Sequence, residues 1–553
     1  MMTIEVAEPH VQTATMTREE RRVILASSVG TIFEWYDFFL YGALATTIGA
    51  KFFSPFDEAT RNIFALLTFA LGFLVRPFGA LVFGRFGDLI GRKYIFLTTI
   101  AIMGSSTLIV GLLPTSDQIG IAAPIILVSL RILQGLAISG EFGGAAIYVA
   151  EHAPPGRRGF YTGWIPASIA FSLLLSLAVI LITQSVLDDT QFKAWGWRIP
   201  FLASLLLLGL SLWIRLRLNE SPAFLKMKSE GRQSRAPVRE ALGRWKNIRV
   251  ALIALFGMTT ATAVLGYTGT FYTLVFLTST LKVDAYSANL LFATAMILGS
   301  AGCVFFAWLS DHIGRKPIIL TGCAIAALGY FTIFDALAER ANPTLYHAQA
   351  NVVVEVHADP ATCAFQFNPA GTAKFTSSCD IAKATLSRAS VSYRNVRESA
   401  GTPSFVNING ASIAAGPDFA TRIAEHVRQA GYPAAGDGDT LQLSGITDLL
   451  APRALQVVGL LLALVLLAQM AQGPAAAGIV ELFPTNIRYT GISLPYQIGT
   501  GWIGGLLPAT MFAMNAESGS MYFGLWYPVA FAASTFLVGL FFLPETSHID
   551  IAD

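Results

Sequence analysis

Two carboxylates and two guanidinium groups fall where the chain is otherwise apolar. Glu34 and Asp37 stand three residues apart in GTIFEWYDFFLYG, hence on one face of a helix. Arg76 lies just before Pro77 in a second apolar run, and Arg131 lies in a third, upstream of Glu141. If these runs cross a membrane, each charge costs several kcal/mol unless it faces a cavity or a partner. A carboxylate there that is neutral in one state and charged in another can carry a proton. A guanidinium keeps its proton and offers a bidentate fork to a carboxylate. The chemistry in view is therefore proton transfer tied to the binding of an anion. Glu34 and Asp37 are candidates for proton coupling or for structural pairing with Arg76 or Arg131, and a pair that breaks on protonation does both. Arg76 and Arg131 either hold an anionic substrate or neutralise Glu34, Asp37 or Glu141. Glu141 stands among Gly140, Gly143 and Gly144, whose small size suits close helix packing. A buried polar contact is expected of it rather than substrate binding.

Other chemistries find no support in the residues. There is no Gly-x-x-x-x-Gly-Lys-Ser/Thr loop to cradle nucleotide phosphates. The seven histidines show no paired metal spacing. No enzyme, metal, cofactor or nucleic-acid partner is expected, ATP is not the expected energy source, and the intramembrane carboxylates point to a proton gradient instead.

A second constellation repeats. GRFGDLIGRK at 84–93 returns as AWLSDHIGRK at 307–316. Both copies share Asp-x-x-Gly-Arg-Lys, giving Asp88, Arg92, Lys93 and Asp311, Arg315, Lys316. A carboxylate at such a turn can meet the positive N-terminal end of a neighbouring helix, while the bases can pair with acids such as Glu151 or Glu481. These six residues are read as a gate. Ala307 stands where the first copy has Gly84, so backbone approach is expected to differ there.

The elements that must position these groups are membrane spans. Only 13% of the residues are charged, about half the share of a soluble domain, and the mean hydropathy is +0.57. Apolar runs lie near 23–49, 61–83, 94–113, 121–150, 159–186 and 198–217, then near 250–279, 287–309, 317–337, 454–482, 489–513 and 521–543. Each is long enough to cross roughly 30 Å of hydrocarbon. Bases gather in alternate connections. Arg18, Arg21 and Arg22 precede the first span, Arg85, Arg92 and Lys93 follow the second, and Arg157 and Arg158 follow the fourth. Ten bases from Arg215 to Arg249 follow the sixth, and Arg315, Lys316 and Arg488 follow the eighth and tenth. The other connections are poor in base: Lys51 with Asp57 and Glu58, then Asp117, then Asp188 and Asp189 with Lys193, then Lys282 with Asp284. Basic loops stay cytoplasmic, which places both termini there. No removable signal peptide is read.

The expected organisation is a tail at 1–22, a six-helix bundle at 23–217, a central loop at 218–249, a second bundle at 250–337 and 452–543, and a tail at 544–553. Residues 338–451 interrupt the second bundle on the extracytoplasmic side. NVVVEVHAD from Asn351 alternates as a strand, and DFATRIAEHVRQAGY from Asp418 places Phe419, Ile423 and Val427 at helical spacing. A small α+β insert is expected. Cys363 and Cys379 fall in it, on the oxidising side, and a disulfide between them is expected. Cys303 and Cys323 read as packing residues.

With twelve spans and two such turns, the chain resembles the major facilitator superfamily, an all-α membrane fold. EWYDFFLYG at Glu34–Gly42, RILQG at Arg131–Gly135, GEFGGAA at Gly140–Ala146, WGWRIPF at Trp195–Phe201, NESPAF at Asn219–Phe224 and ELFPTNIRYTG at Glu481–Gly491 are similar to its metabolite:proton symporter family. Known members carry α-ketoglutarate, citrate, shikimate, and proline or betaine. Gln497 stands where many members have Asn, and the insert is not typical. The Gly-Pro-x-x-Gly-Gly motif of drug–proton antiporters is missing from span five. The resemblance implies a secondary transporter of two six-helix bundles, with substrate bound between them and alternating access. A small carboxylate, such as a dicarboxylate, α-ketoglutarate or a shikimate-like acid, is the expected cargo. A proline/betaine-type osmolyte, or a transporter-like receptor using the insert, is the alternative. Tyr267, Tyr272, Tyr496 and Gln497 are candidate cavity liners in the second half. A monomer in the bacterial inner membrane is expected.

Overall fold

The computed structural model describes residues 18–54, 58–217, 219–364, 376–433 and 439–551. The side chains of Arg18, Arg22, Asp57, Glu58 and Asp189, used above to orient the loops, lie outside that description. Among the described residues eleven helices are long and apolar enough to cross a membrane. They are span 1 (Val23–Ala43), span 2 (Leu67–Leu89), span 3 (Arg92–Leu112), span 4 (Ala122–His152), span 5 (Arg158–Val186), span 6 (Arg198–Leu216), span 7 (Trp245–Thr280), span 8 (Ala285–Ile313), span 9 (Arg315–Ala341), span 10 (Pro452–Glu481) and span 12 (Phe523–Phe542). Span 11 is built from two helices, Arg488–Gln497 and Leu507–Ser518, joined by a wide turn over Ile498–Gly504. Its buried face is polar (Thr490, Ser493, Gln497 and Thr500), and it points away from lipid.

Spans 2 and 7 also depart from regular α-helix. Span 2 breaks at Val75, because Pro77 has no N–H to donate, and Arg76 sits at the break. Span 7 carries wide, π-type turns at Leu255–Thr259, Thr268–Tyr272 and Phe276–Thr280. Such turns gather at functional sites, where they re-aim side chains.

The two bundles meet along two seams, span 2 against span 11 and span 5 against span 8. Small residues set the approach in both. A Cβ on Gly84 would lie 2.9 Å from the Cα of Thr490. In the second seam the glycines have changed sides. A Cβ on Gly163 of span 5 would lie 2.4 Å from the Cβ of Ala307. Ala307 is therefore tolerated because its partner helix supplies the missing space.

The insert is folded. Span 9 runs to Ala341, so the insert proper begins at Asn342, whose side chain caps the helix Pro343–Asn351. Strands β1 (Val354–Ala358), β2 (Arg394–Arg397), β3 (Phe405–Ile408) and β4 (Ala411–Ala414) form one sheet in the order β2-β1-β3-β4. β1 and β2 are parallel, crossed over by the helix Ser378–Arg388, and the other pairs are antiparallel. Val354, Val356, Val406 and Ile408 are buried together with Phe419, Ile423 and Val427 of the helix Phe419–Gln429. Cys363 and Cys379 are bonded, with Cα atoms 5.3 Å apart.

The insert sits on the second bundle. Lys282 Nζ donates to the carbonyl of Arg388 (2.7 Å), and Tyr393 N–H to that of Gly519 (2.7 Å). Asn395 donates to the carbonyl of Glu517 (3.2 Å), and Leu443 N–H to the hydroxyl of Ser287 (2.7 Å). These partners belong to the ends of spans 7, 8 and 11.

Candidate functional site

At the end of the molecule that carries the two Asp-x-x-Gly-Arg-Lys turns, each turn clamps the opposite bundle. Asp88 accepts from the N–H groups of Tyr489 (3.1 Å) and Thr490 (3.0 Å) and from the Thr490 hydroxyl (2.8 Å). Asp311 accepts from the N–H groups of Gly159 and Phe160, both at 2.8 Å. Each carboxylate thus caps the first turn of a facing helix, where N–H groups lack partners and the dipole is positive.

Arginines fill in behind. Arg92 donates to the carbonyl of Thr485 (2.8 Å) and lies 3.9 Å from Glu151. Arg315 holds Asp311 (2.7 Å) and Glu481 (3.0 Å). Arg488 of the second bundle pairs with Glu151 of the first at 2.6 Å, and Arg158 of the first faces Glu481 of the second at 3.9 Å. Asp88, Arg92, Arg158, Arg315, Arg488 and Glu481 are all buried. Asp88, Arg92, Asp311 and Arg315 therefore converge as the sequence grouped them. Lys93 and Lys316 do not join the clamp. Their ammonium groups reach the carbonyls of Leu216 (3.4 Å) and Leu540 (2.9 Å), within their own bundles.

Two acids outside the motif complete the symmetry. Glu220 accepts from the backbone N–H groups of Arg92 and Lys93, and Glu545 from those of Arg315 and Lys316. Burial works against the Glu545 carboxylate, but the N–H groups of Arg315, Ser547 and Lys316 outweigh it and hold the group below the ordinary glutamate range.

Between the clamp and the insert end lies a cavity. Glu34 and Arg76 face it from the first bundle, and Tyr267, Gln469, Gln472, Tyr496 and Gln497 from the second. Trp35, Phe39 and Phe271 supply apolar wall. Phe271 stacks on Phe39 at 5.8 Å, so the two bundles also touch on the insert side of the cavity. Arg76 lies over the Phe73 ring, 4.3 Å from its centroid, and its Nε has no partner. Among the described residues neither Glu34 nor Arg76 has an ion-pair partner within 4 Å, although both are buried, each 6% exposed.

A small side pocket adjoins the cavity, and Glu34 and Arg76 line both. Its far wall holds Asp37 and Arg131, paired at 3.2 Å. Thr107 donates to Asp37 (2.9 Å), and the Arg131 guanidinium stacks 3.6 Å over the Tyr41 ring. Glu34 and Asp37 thus share a helix face but not a role, since one is paired and the other is not. Arg131 does not line the central cavity; its Nη1 holds Asp37, while its Nε and Nη2 are buried without a hydrogen-bond partner among the described residues.

Other candidates move as well. Tyr272 does not line the cavity. It is fully buried and takes a bond from Asn515 at 3.3 Å. Glu141 makes the buried polar contact expected of it, with Arg215. The loop count above placed Arg215 in the polar central stretch. It lies inside span 6, 1% exposed, because Glu141 and the Phe96 ring give its guanidinium a buried berth. Gln497 ties the bundles by donating to the carbonyl of Ser139 (3.1 Å).

Sequence reasoning missed Gln469 and Gln472, whose three-residue spacing in an apolar span was the available signal. The Oε1 of Gln469 is buried without a partner. Gly266 makes room for Gln472, whose Nε2 would lie 2.4 Å from a Cβ there.

Known proteins place this architecture. A profile described as "Sugar (and other) transporter" matches residues 23–247, and one described as "MFS/sugar transport protein" matches 157–365. The chain is 36% identical over 335 residues to the shikimate transporter of Escherichia coli (strain K12), covering 60% of this chain and 75% of that one. It is 35% identical over 348 residues to a putative proline/betaine transporter of Staphylococcus aureus (strain MSSA476), covering 61% and 71%. Inner membrane metabolite transport protein YhjE of E. coli (strain K12) is 34% identical over 344 residues, covering 61% and 78%. The proton:xylose symporter XylE, bound to 6-bromo-6-deoxy-D-glucose, shares the fold with a TM-score of 0.60 at 16% identity, over 97% of this chain and 98% of that one. With its paired bundles, repeated turn clamps and these relatives, the chain belongs to the major facilitator superfamily, in its metabolite:proton symporter family, and is a multi-pass membrane transporter.

Proposed function

We propose that this protein carries a small carboxylate together with a proton by alternating access. The observation that carries the reading is the pair Glu34 and Arg76, both buried and both facing one cavity without an ion-pair partner within 4 Å among the described residues. An unpaired buried charge is costly, so such groups serve a ligand or a proton. Arg76 offers its fork to the substrate carboxylate, and Glu34 holds the proton that leaves that fork free. Asp37 and Arg131 form the adjoining switch, a pair that loosens when Asp37 is protonated.

The second bundle's wall is neutral, with Gln469, Gln472, Tyr267 and Tyr496. One cation and neutral hydrogen-bonding groups suit a monocarboxylate bearing hydroxyl groups better than a di- or tricarboxylate, whose further charges would stay uncompensated. This favours a shikimate-like acid over α-ketoglutarate or citrate. A zwitterion of the proline or betaine kind is the second reading, since Glu34 and the aromatic wall suit a cationic nitrogen. The basic loops support an orientation with the clamp and both termini in the cytoplasm and the insert outside the inner membrane.

The test is uptake into proteoliposomes of labelled shikimate, α-ketoglutarate, citrate, proline and betaine, with and without an inward proton gradient. Uptake of a monocarboxylate that collapses with a protonophore is expected. Uptake indifferent to pH gradient and protonophore rejects symport, and preference for citrate rejects the charge argument.

A further inference from the structure

Beyond the last span, residues 544–551 turn back beneath the clamp instead of leaving the molecule. The apolar side chain of Ile551 is 5% exposed and joins the main buried cluster. Its carbonyl accepts from Arg488 Nη2 (2.9 Å) and from the Thr485 hydroxyl (3.2 Å). The carbonyl of Ile549 accepts from Arg158 Nη1 at 2.5 Å. Thr546 Oγ1 donates to Glu481 (2.8 Å), and Asp550 lies 3.8 Å from Arg158.

The two contacts to Arg158 cross the seam, and those to Arg488, Thr485 and Glu481 fix the segment to its own bundle. The segment is covalently part of the second bundle, whereas Arg158 begins span 5 of the first. For Arg158 the Ile549 carbonyl is a much closer partner than the Glu481 carboxylate, 2.5 Å against 3.9 Å. For Arg488 the Ile551 carbonyl takes a second donor of the same guanidinium that pairs with Glu151 of the first bundle. The two arginines that face an acid across the seam, Arg158 and Arg488, are thus aimed by backbone oxygens of one short segment. Backbone carbonyls suit this task, because they neutralise no charge and leave Glu151 and Glu481 paired with their arginines.

We propose that residues 546–551 are a working part of the gate: a strap that positions Arg158 and Arg488 for the closed clamp and must peel away before this end of the cavity can open. Ile551 is its anchor, and Ile549 supplies the direct tie between bundles. The inference rests on the alternating-access reading above, and it adds a positioning segment that the Asp-x-x-Gly-Arg-Lys motif does not contain.

The experiment uses the full chain in nanodiscs, with a reporter thiol placed by Ser493→Cys. Ser493 is 1% exposed, lies against Gly143 across the seam, and sits between clamp and cavity. The rate of maleimide labelling at 493 then reads opening of the clamp end, with no need to know the substrate. Ile551→Asp should unseat the anchor and raise that rate roughly tenfold, the scale of one lost hydrogen bond to a charged group. Thr546→Val, which leaves the backbone in place, should raise it less. Asp88→Asn in the same background is the positive control for the clamp. A rate for Ile551→Asp within twofold of the parent, while Asp88→Asn labels fast, overturns the strap and leaves alternating access standing. Slow labelling in both variants overturns the gate reading itself, and the strap with it. If Ile551→Asp fails to fold, removal of residues 547–553 carries the same comparison. Faster labelling accompanied by a lowered melting temperature and equal exposure of buried Cys303 would be general loosening and would also overturn it.

Discussion

Neutralising Asp88 should open the clamp without weakening the binding site. In the closed clamp this carboxylate accepts three hydrogen bonds from Tyr489 and Thr490, at 2.8–3.1 Å, and Arg92 stands 3.8 Å away. Asparagine keeps one acceptor oxygen and presents an NH₂ where the second carboxylate oxygen accepted. The loss has two parts. The favourable meeting of a negative charge with a helix N-terminus contributes up to about 2 kcal/mol when buried. A hydrogen bond to a charged group contributes about 1.5–3 kcal/mol, of which asparagine retains part. Together the closed state loses about 2–4 kcal/mol, and each 1.4 kcal/mol is a factor of ten in the equilibrium. The clamp equilibrium should therefore shift by about 30-fold to about 700-fold toward opening at this end. Paired spin labels on spans 4 and 10 would read the distribution directly, and Asp311→Asn should act in the same direction, since Asp311 makes the symmetric contacts to Gly159 and Phe160. Substrate affinity measured with the cavity accessible should change by less than about threefold, because Asp88 does not line the cavity. A large loss of equilibrium affinity with an unchanged distance distribution would refute the reasoning.

Arg131→Lys should uncouple transport rather than abolish binding, because Arg131 holds Asp37 and stacks on Tyr41 outside the central cavity. Proton-driven accumulation should fall at least about tenfold while equilibrium binding persists, measured by uptake beside a binding isotherm. Loss of binding would return Arg131 to the substrate site. Replacing residues 342–451 with a short Gly/Ser linker should leave a transporting protein, since among the described residues none of the insert lines the cavity and Arg453 at the start of span 10 already bonds the Ala341 carbonyl at 3.3 Å. Absent uptake by a correctly inserted variant would make the insert part of the mechanism. Glu545 should give the clamp end an acid-sensitive component. Its folded-state proton affinity is depressed, so its contribution is present above the unfolded glutamate value of about 4.3 and is lost as pH falls through the folded one. The clamp should therefore loosen as pH falls through the folded-state value, read by the paired spin labels, and Glu545→Gln should show a raised labelling rate at position 493 already at pH 7. An unchanged rate in the variant would remove Glu545 from the clamp.

Much of this protein is readable from residues alone, because the bilayer restricts what a sequence may do. A run of about 20 apolar residues has few alternatives to a helix, so the spans emerge within a few residues of where the helices lie. The Asp-x-x-Gly-Arg-Lys repeat identified Asp88, Arg92, Asp311 and Arg315 as a set, since acids and bases at helix ends have strong local rules. The insert's strand and helix were visible in their alternation and helical spacing. Partner choice was not visible. Glu34 and Asp37 are equivalent by spacing, yet Arg131 reaches only Asp37. Arg215 ends the apolar run at 198–217 and counts among the loop bases by charge, yet Glu141 and the Phe96 ring hold it buried. Tyr272 and Tyr267 lie five residues apart on one span, and the wide turn over Thr268–Tyr272 turns one to the cavity and the other to Asn515. Glu220, Glu545 and the strap at 546–551 act across separations of more than a hundred residues or through backbone carbonyls, which side-chain patterns do not encode. Local sequence determines which groups are costly to bury. Only the packing of two bundles decides which of them are neutralised by a partner, and which are left facing the cavity.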